Sequence, residues 1–489
     1  MRQKIILTSL VLSVNLFTFF GQSLENDRYI STSKFSVDLS SDVEYEIGFV
    51  DLILGLENEA IYVDNSLKFD IYRPANDTFS NKPAVICIHG GGFITGSKNS
   101  NDIELFCDSL AKSGYFAVAM EYRKGINITD PKSPERAMYR ALQDSRSAVR
   151  YLRANAALYG IDPNHIYLVG QSAGAITALN NIYLDQDEVG EEIKSYNWAF
   201  IPTPHLGSID TGTNLSFNGR ANACVALWGA VQHDSIINTG DTTPMLLVHG
   251  KDDAIVPYDI GKPFSGVGFT INDVHGSKRI HERLDSLGIN HETYFVDGEG
   301  HEFYGGVTNG NLGFTPNEYW DTIYAKTKAF LYKQHKPTAS FNFYPNGALI
   351  NFVDQSAKAV AWHWNFGNGW TSNQQNPSYA FGSPGYYPVK LTVQSEHLSW
   401  DTITMTVPFG VSGIHELDQQ KINATLTQNQ LTIFTSHKDQ FELIQLNGSS
   451  IGSYQTLVGY NNFDLTNLAK GIYILTNKNR SFQKKIAIL

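Results

Sequence analysis

Residues 165–179, HIYLVGQSAGAITAL, change their period partway along. Ile166–Val169 form a near-continuous apolar run, as in a strand covered on both faces, whereas the residues from Ala173 onward suit a helix. Ser172 stands between the two, with Gly170 and Gly174 where a side chain would clash in a tight strand-to-helix turn. A G-x-S-x-G turn of this kind lifts the hydroxyl to the carboxyl edge of a sheet and aims a helix N-terminus at the reacting carbonyl. The same small residues would also let a helix pack closely on a sheet. Partners for Ser172 elsewhere in the chain must decide between the two readings.

The surrounding sequence has the rhythm such a turn requires. From about Phe49 to Gln334, apolar strands such as KPAVICIHG, YFAVAMEY, ACVALWGA, PMLLVHG and HETYFVDG alternate with amphipathic stretches. One of these, PERAMYRALQDSRSAVRYLRANAALYG, predicts a helix from Pro134 to Gly160. Alternating strand and helix implies an α/β fold with a mostly parallel sheet flanked by helices, its reactive groups in loops beyond the strands' carboxyl ends.

Three such loops carry chemistry. HGGGF, residues 89–93, follows the strand AVICI, and its consecutive glycines let bare N–H groups approach a ligand. The amides of Gly91 and Gly92, with that of Ala173, suit an oxyanion hole, while His89 is read as orienting the loop. A serine hydroxyl also needs a base, and the base needs a carboxylate to orient it. Asp252 and Asp253 lie just past the strand PMLLVHG, and Asp253 is favoured. His301, in the glycine-rich DGEGHEF, lies beyond the end of HETYFV. It is preferred as base over His275 in a loop, His281 within a helical pattern and His291 at the wrong end of its strand.

Composition narrows the remaining possibilities. The chain has 489 residues, enough for two to four domains, and its 42% hydrophobic content supports large cores. A formal net charge of −11 argues against nucleic acid or an anionic membrane as partner. Residues 1–23 have a basic start, an apolar stretch and a small or polar end, the pattern of a cleaved signal peptide. No later segment is expected to span a membrane. The three cysteines, Cys87, Cys107 and Cys224, do not make a disulfide framework, and Cys87 reads as a core residue. There is no CxxC or HExxH spacing, so neither a metal nor a cofactor is expected.

The stretches HGGGF, ALQDSRSAVRYLRANAALYGIDPNHIYLVGQSAGA, VHGKDDAIVP and GEGHEF together resemble the carboxylesterase-like branch of the α/β-hydrolases. The resemblance implies a catalytic triad of Ser172, Asp253 and His301 acting on carboxylic esters, with Gly91, Gly92 and Ala173 at the oxyanion hole. It gives Asp144 a structural place in the helix. At finer grain the chain is similar to bacterial enzymes that remove acetyl or feruloyl groups from plant polysaccharides. Residues 337–410, through WHWNFGNGWTSNQQNPSYAFGSPGYYPVKLTV, resemble a PKD domain with Trp364 in its core, although Asn368 stands where the family has Asp. Residues 411–489, with LIQLNG, DLTNLAKGIYIL and KKIAIL, resemble a C-terminal sorting domain of the type IX secretion system. These resemblances imply a signal peptide (1–23), a hydrolase domain (24–336) and two C-terminal all-β domains, in a protein secreted or attached to the cell surface.

Three rival functions share parts of this pattern. A polyester hydrolase would use the same site. A prolyl-oligopeptidase-type peptidase shares the triad order but normally carries a large N-terminal propeller, for which there is no room before the hydrolase region. A non-catalytic adhesin would not need the intact residues. Two long insertions, Asp185–Ala221 and Ile255–Ser277, are read as binding walls or lids, or else as surface elaboration.

Overall fold

The computed structural model describes the chain except residues 1–23, 50, 54–55, 59–63, 128, 199–200, 264–271, 308–313, 411–421, 428–429, 436–437, 446–448, 458, 479–481 and 489. The expected signal peptide lies outside the described residues. The chain divides into two compact units, Met1–Tyr379 with Pro388–Met405, and Ala380–Tyr387 with Thr406–Leu489.

The first unit is built on an eight-stranded sheet. In chain order its strands are β1 (Val37–Phe49), β2 (Asp64–Pro74), β3 (Lys82–Ile88), β4 (Phe116–Met120), β5 (Ile161–Gln171), β6 (Ala223–Leu227), β7 (Met245–Gly250) and β8 (His291–Val296). Across the sheet the order is β1-β2-β4-β3-β5-β6-β7-β8. The strands from β4 to β8 all run parallel, and β1 and β2 pair antiparallel at one edge. After β3 the chain moves outward to β4, then returns across to β5. Strand order therefore reverses between β3 and β5, and open α/β sheets bind ligands in the crevice at such a point.

The alternation of side chains along each strand feeds two cores. Ala84, Ile86 and Ile88 of β3, with Ile166 and Leu168 of β5, face one layer; Val85, Cys87, Tyr167 and Val169 face the other. Helices α1 (Asn101–Ser113) and α5 (Glu318–His335) cover the second face. Helices α2 (Ser133–Ala154), α3 (Ala173–Tyr183) and α4 (Ser277–Leu287) cover the first. With both faces covered, the central strands are buried along their whole length, which is why they read as unbroken apolar runs. Cys87, Cys107 and Cys224 are all free and buried.

The predicted helix to Gly160 is shorter in the structure. It stops at Ala154, and Ala156–Tyr159 form a separate turn closed by Gly160 at φ 63°. Asn155 is the cause, because its side-chain amide joins its backbone N–H in donating to the Tyr151 carbonyl, at 2.9 and 3.0 Å. Helix α2 is also buried on faces that the sequence makes polar. The insertion at 185–221 lies over it, held by guanidinium and amide donors on its backbone carbonyls. Arg136 reaches Glu192 and Pro204 at 2.6 Å each, and Gln143 reaches Leu206 and Ser208 at 2.8 Å each. This insertion is therefore a cover for α2.

Beyond α5, the strands Phe341–Asn346, Leu349–Asp354 and Ser378–Tyr379 make one sheet, and Ala361–Asn365 lies in a second with Thr371–Ser372 and Gly385–Gln394. Trp364 is fully buried against Phe341 and Phe352, its indole N–H donating to the Gln374 carbonyl at 2.9 Å. Asn368 donates to the Tyr379 hydroxyl at 2.9 Å, so an amide fills the place of the expected carboxylate. In the second unit, a three-stranded and a four-stranded sheet enclose Leu431, Ile433, Phe441, Leu443, Leu475 and Ile486. Among the described residues, no helix is long and apolar enough to cross a membrane.

Candidate active site

The turn from β5 to α3 holds Ser172 at φ 52°, ψ −118°, a backbone conformation that L-residues rarely adopt. Its amide donates to the Leu227 carbonyl at 3.0 Å, tying the turn to the end of β6. The flanking glycines are sterically required. A Cβ at Gly170 would overlap the Gly174 carbonyl and lie 2.7 Å from the Cα of Ala175. A Cβ at Gly174 would overlap the Ile88 carbonyl and lie 2.7 Å from that of His89. These neighbours are backbone atoms of the central sheet and cannot swing aside. Gly174→Ala is expected to destabilise the fold by at least about 3 kcal/mol, seen as a large fall in Tm or loss of soluble protein.

Ser172, His301 and Asp253, distant in sequence, form one hydrogen-bonded chain. Ser172 Oγ lies 2.9 Å from His301 Nε2, and His301 Nδ1 lies 2.7 Å from Asp253 Oδ2. The other carboxylate oxygen accepts the backbone N–H groups of Ile255 at 2.8 Å and Val256 at 2.9 Å. The loops bearing Asp253 and His301 are bonded to each other: Lys251 N donates to the Val296 carbonyl at 2.8 Å and Asp252 N to that of Glu299 at 3.0 Å. Asp252 itself is exposed. His275, His281 and His291 bond to other groups.

His249, at the end of β7, was not anticipated from the sequence. Its Nε2 lies 3.2 Å from Asp253 Oδ2 and 3.0 Å from the Val256 carbonyl, and its Nδ1 lies 2.8 Å from Ser277 Oγ. Burial alone would raise the Asp253 carboxyl, but hydrogen bonds from His249 and His301 outweigh it and hold the group below the usual carboxylate range. A signal for His249 does exist, since β7 ends in His-Gly in LVHG, just as His-Gly directly follows β3 in CIHG. Trp228, at φ 45° and fully buried, sets its ring against His301 with centroids 6.2 Å apart, forming a wall behind the imidazole.

The loop after β3 passes directly over the serine, and a Cβ at Gly90 would touch that of Ser172 at 3.3 Å. Gly91 at φ 107°, Gly92 at φ 62° and Phe93 at φ 62° coil it so that Ile94 N and Thr95 N donate back to the Gly91 carbonyl, at 3.1 and 2.9 Å. The His89 ring stacks on Tyr122 at 4.3 Å, with Nδ1 2.7 Å from the Gly90 carbonyl and Nε2 3.2 Å from Glu121. Glu121 is half-buried, which would raise its carboxyl, yet hydrogen bonds from His89 and Lys124 bring it down to about 2. The amide of Ala173 opens α3, where the first N–H groups of a helix have no partner within it.

Beside this loop lies an apolar pocket lined by Gly92, Phe93, Ile126, Met138, Ile176 and Val231. Pro263 and Val274, from the insertion at 255–277, also line it, so the described part of that insertion forms one wall of the pocket. The short strands Ile260–Gly261, Val274–Gly276 and Ala230–Val231 hold this wall in place as a small sheet. Glu135 also lines the pocket, its carboxyl bonded to Asn272 and pushed up to about 7 by burial. A carboxyl raised in the folded state adds stability below its ordinary value of 4.5, and that stability is lost as pH rises through about 7. Thermal melts should therefore give similar Tm values for Glu135→Gln and the parent near pH 5, with the variant higher at pH 8.

The sheet order, the elbow at the reversal of that order and the long crossover helix define an α/β-hydrolase fold. Residues 69–200 match the family model described as BD-FAE, and residues 348–407 match the PKD domain. The chain is 34% identical to phenmedipham hydrolase of Pseudarthrobacter oxydans, over 32% of this chain and 30% of that one. It is 32% identical to a secreted lipase of Arthroderma benhamiae, over 26% of this chain and 24% of that one. It thus spans less than a third of the length of either curated relative. Among solved structures it is similar to a butyrate-bound esterase of Thermogutta terrifontis, at 19% identity and TM-score 0.40, covering 58% of this chain and 93% of that one.

Proposed function

We propose that the protein is a serine carboxylesterase that hydrolyses carboxylic esters through an acyl-enzyme. The observation that carries this reading is the chain Ser172 Oγ, His301, Asp253, at 2.9 and 2.7 Å, beneath the Gly90–Gly92 loop. Ser172 Oγ attacks the ester carbonyl while His301 Nε2 takes its proton, and Asp253 holds the proton on Nδ1 and balances the imidazolium. The amides of Gly91, Gly92 and Ala173 receive the negative charge that develops on the carbonyl oxygen. As the tetrahedral intermediate collapses, His301 returns the proton to the departing alcohol. Water, deprotonated by the same imidazole, then attacks the acyl-enzyme and frees the acid and Ser172.

The apolar pocket beside Gly92 is assigned to the substrate's hydrocarbon portion. Acetyl or feruloyl esters of polysaccharides are the proposed substrates, supported by the BD-FAE match and by a PKD domain suited to a polymeric target. The proposed setting is outside the cell, supported by the residue 1–23 pattern, the similarity of residues 411–489 to a type IX sorting domain and the secreted lipase relative. A fluorophosphonate probe should label the full chain once, at Ser172. Labelling elsewhere, or none, would exclude the assignment. Acetylated xylan, methyl ferulate and a polyester film, compared at equal enzyme, then rank the ester classes.

A further inference from the structure

Away from Ser172, three groups of histidine and aspartate converge among the described residues: Asp162–His165–His397, His233–Asp234–His275 and His281–Asp285–His291. Their hydrogen bonds distinguish them. In the first group, both imidazoles bond the same Asp162 oxygen, His165 Nδ1 at 2.6 Å and His397 Nε2 at 2.8 Å, so each donor has an acceptor. In the second, both Nδ1 atoms accept backbone N–H groups, His233 from Ser235 at 3.1 Å and His275 from Asp234 at 3.3 Å. In the third, two ring nitrogens face each other directly, His281 Nδ1 and His291 Nε2 at 2.7 Å.

The third arrangement is chemically particular. His291 Nδ1 lies 2.8 Å from the Ile289 carbonyl, which can only accept, so Nδ1 carries the proton and Nε2 presents a lone pair. Asp285, one helical turn after His281, brings Oδ1 to 3.7 Å from His291 Nε2 and Oδ2 to 3.6 Å from His281 Nε2. Either a proton sits between the two ring nitrogens or a cation takes both lone pairs and the carboxylate.

We propose that His281, Asp285 and His291 form a structural site for a divalent transition-metal ion of the zinc class. Two imidazoles and one carboxylate are a donor set such ions favour, with water completing the shell. The Asp285 side chain is 65% exposed, which leaves the site open to solvent, while the Ile289 carbonyl orients His291 as outer partners of metal-bound histidines do. His291 pairs with Met245 at the start of β8, and His301 follows that strand's other end. The ion cross-links α4 to the start of this edge strand and takes no part in ester chemistry.

The test uses the full chain, freed of metal by dialysis against a chelator, then titrated with ZnCl2 by calorimetry and with CoCl2 by visible absorption. The expected result is one equivalent of zinc bound, low-symmetry d–d bands from cobalt and a Tm that rises with ZnCl2. His281→Asn, Asp285→Asn and His291→Asn should each weaken zinc binding at least about 100-fold, with ester turnover unchanged. His233→Asn and His397→Asn should retain the parent's affinity. Asp285 is exposed, so D285N is the variant least able to disturb folding, and its result decides if either histidine variant misfolds. Zinc binding weaker than about 100 µM in the parent, or affinity unaltered in D285N, overturns the proposal.

Discussion

Replacing Ser172 with alanine is expected to lower kcat/KM for p-nitrophenyl acetate by at least about 10⁴-fold while leaving the fold intact. The substitution removes one atom, Oγ, whose bond is to His301 Nε2 at 2.9 Å. The backbone bond from residue 172 to the Leu227 carbonyl remains, and alanine meets the same unfavourable φ of 52°. Stability should therefore move by no more than about 1 kcal/mol, in either direction. On the proposed mechanism no acyl-enzyme forms without Ser172 Oγ, and only an oxyanion hole and a general base acting on water remain. That remnant accounts for residual turnover but cannot sustain the full rate. Near-UV circular dichroism and Tm would verify folding. A variant within about tenfold of the parent would place the nucleophile elsewhere.

Much of this arrangement is legible in the sequence where the constraint is local. Gly170, Ser172 and Gly174 occupy one turn, and the steric demand on each glycine comes from backbone within or beside that turn. The central strands are equally plain, because helices on both faces turn β3, β4 and β6 into unbroken apolar runs. Legibility falls where burial depends on distant segments. Helix α2 carries Arg136, Arg140, Gln143, Asp144, Arg146 and Arg150, all buried, which no periodicity of its own would predict. Arg136, Gln143 and Arg150 are buried because the described parts of residues 185–221 fold over them and present main-chain carbonyls as acceptors, whereas Arg140 donates to the Gly125 carbonyl and Asp144 accepts from Arg123. His249 was missed for a similar reason. Its partners, Asp253, Val256 and Ser277, are brought to it by a loop and a helix start, and the His-Gly it shares with the residues after β3 does not by itself reveal them. The two insertions looked alike in sequence. They differ in the structure because one meets a row of guanidinium donors and the other pairs with the short strand Ala230–Val231 beside the pocket.

Asp253→Asn should lower kcat by about 10³–10⁴-fold with a much smaller change in KM, and the reason lies in the orientation an amide must take there. Asp253 Oδ1 accepts the N–H groups of Ile255 and Val256, at 2.8 and 2.9 Å. An asparagine NH2 placed there would set donors against donors, so the carbonyl oxygen takes that position and the NH2 occupies the place of Oδ2. That place lies 2.7 Å from His301 Nδ1 and 3.2 Å from His249 Nε2. The NH2 then donates to His301 Nδ1, which must give up its proton, and the imidazole carries hydrogen on Nε2 instead. In that tautomer Nε2 points a donor at Ser172 and cannot accept the hydroxyl proton, although every atom of the serine and the oxyanion loop is still present. Fluorophosphonate labelling of Ser172 should slow in parallel with turnover, because both need the hydroxyl deprotonated. The substitution also removes a carboxyl held below its ordinary value in the folded chain. Such a group stabilises the fold above an unfolded value near 3.8 and loses that contribution as pH falls, so the variant's acid unfolding should be less steep. Asp252 is the sequence neighbour able to disprove this account. If D253N kept more than about a tenth of the parent's kcat, and loss of Asp252 then removed it, the orienting carboxylate would be Asp252.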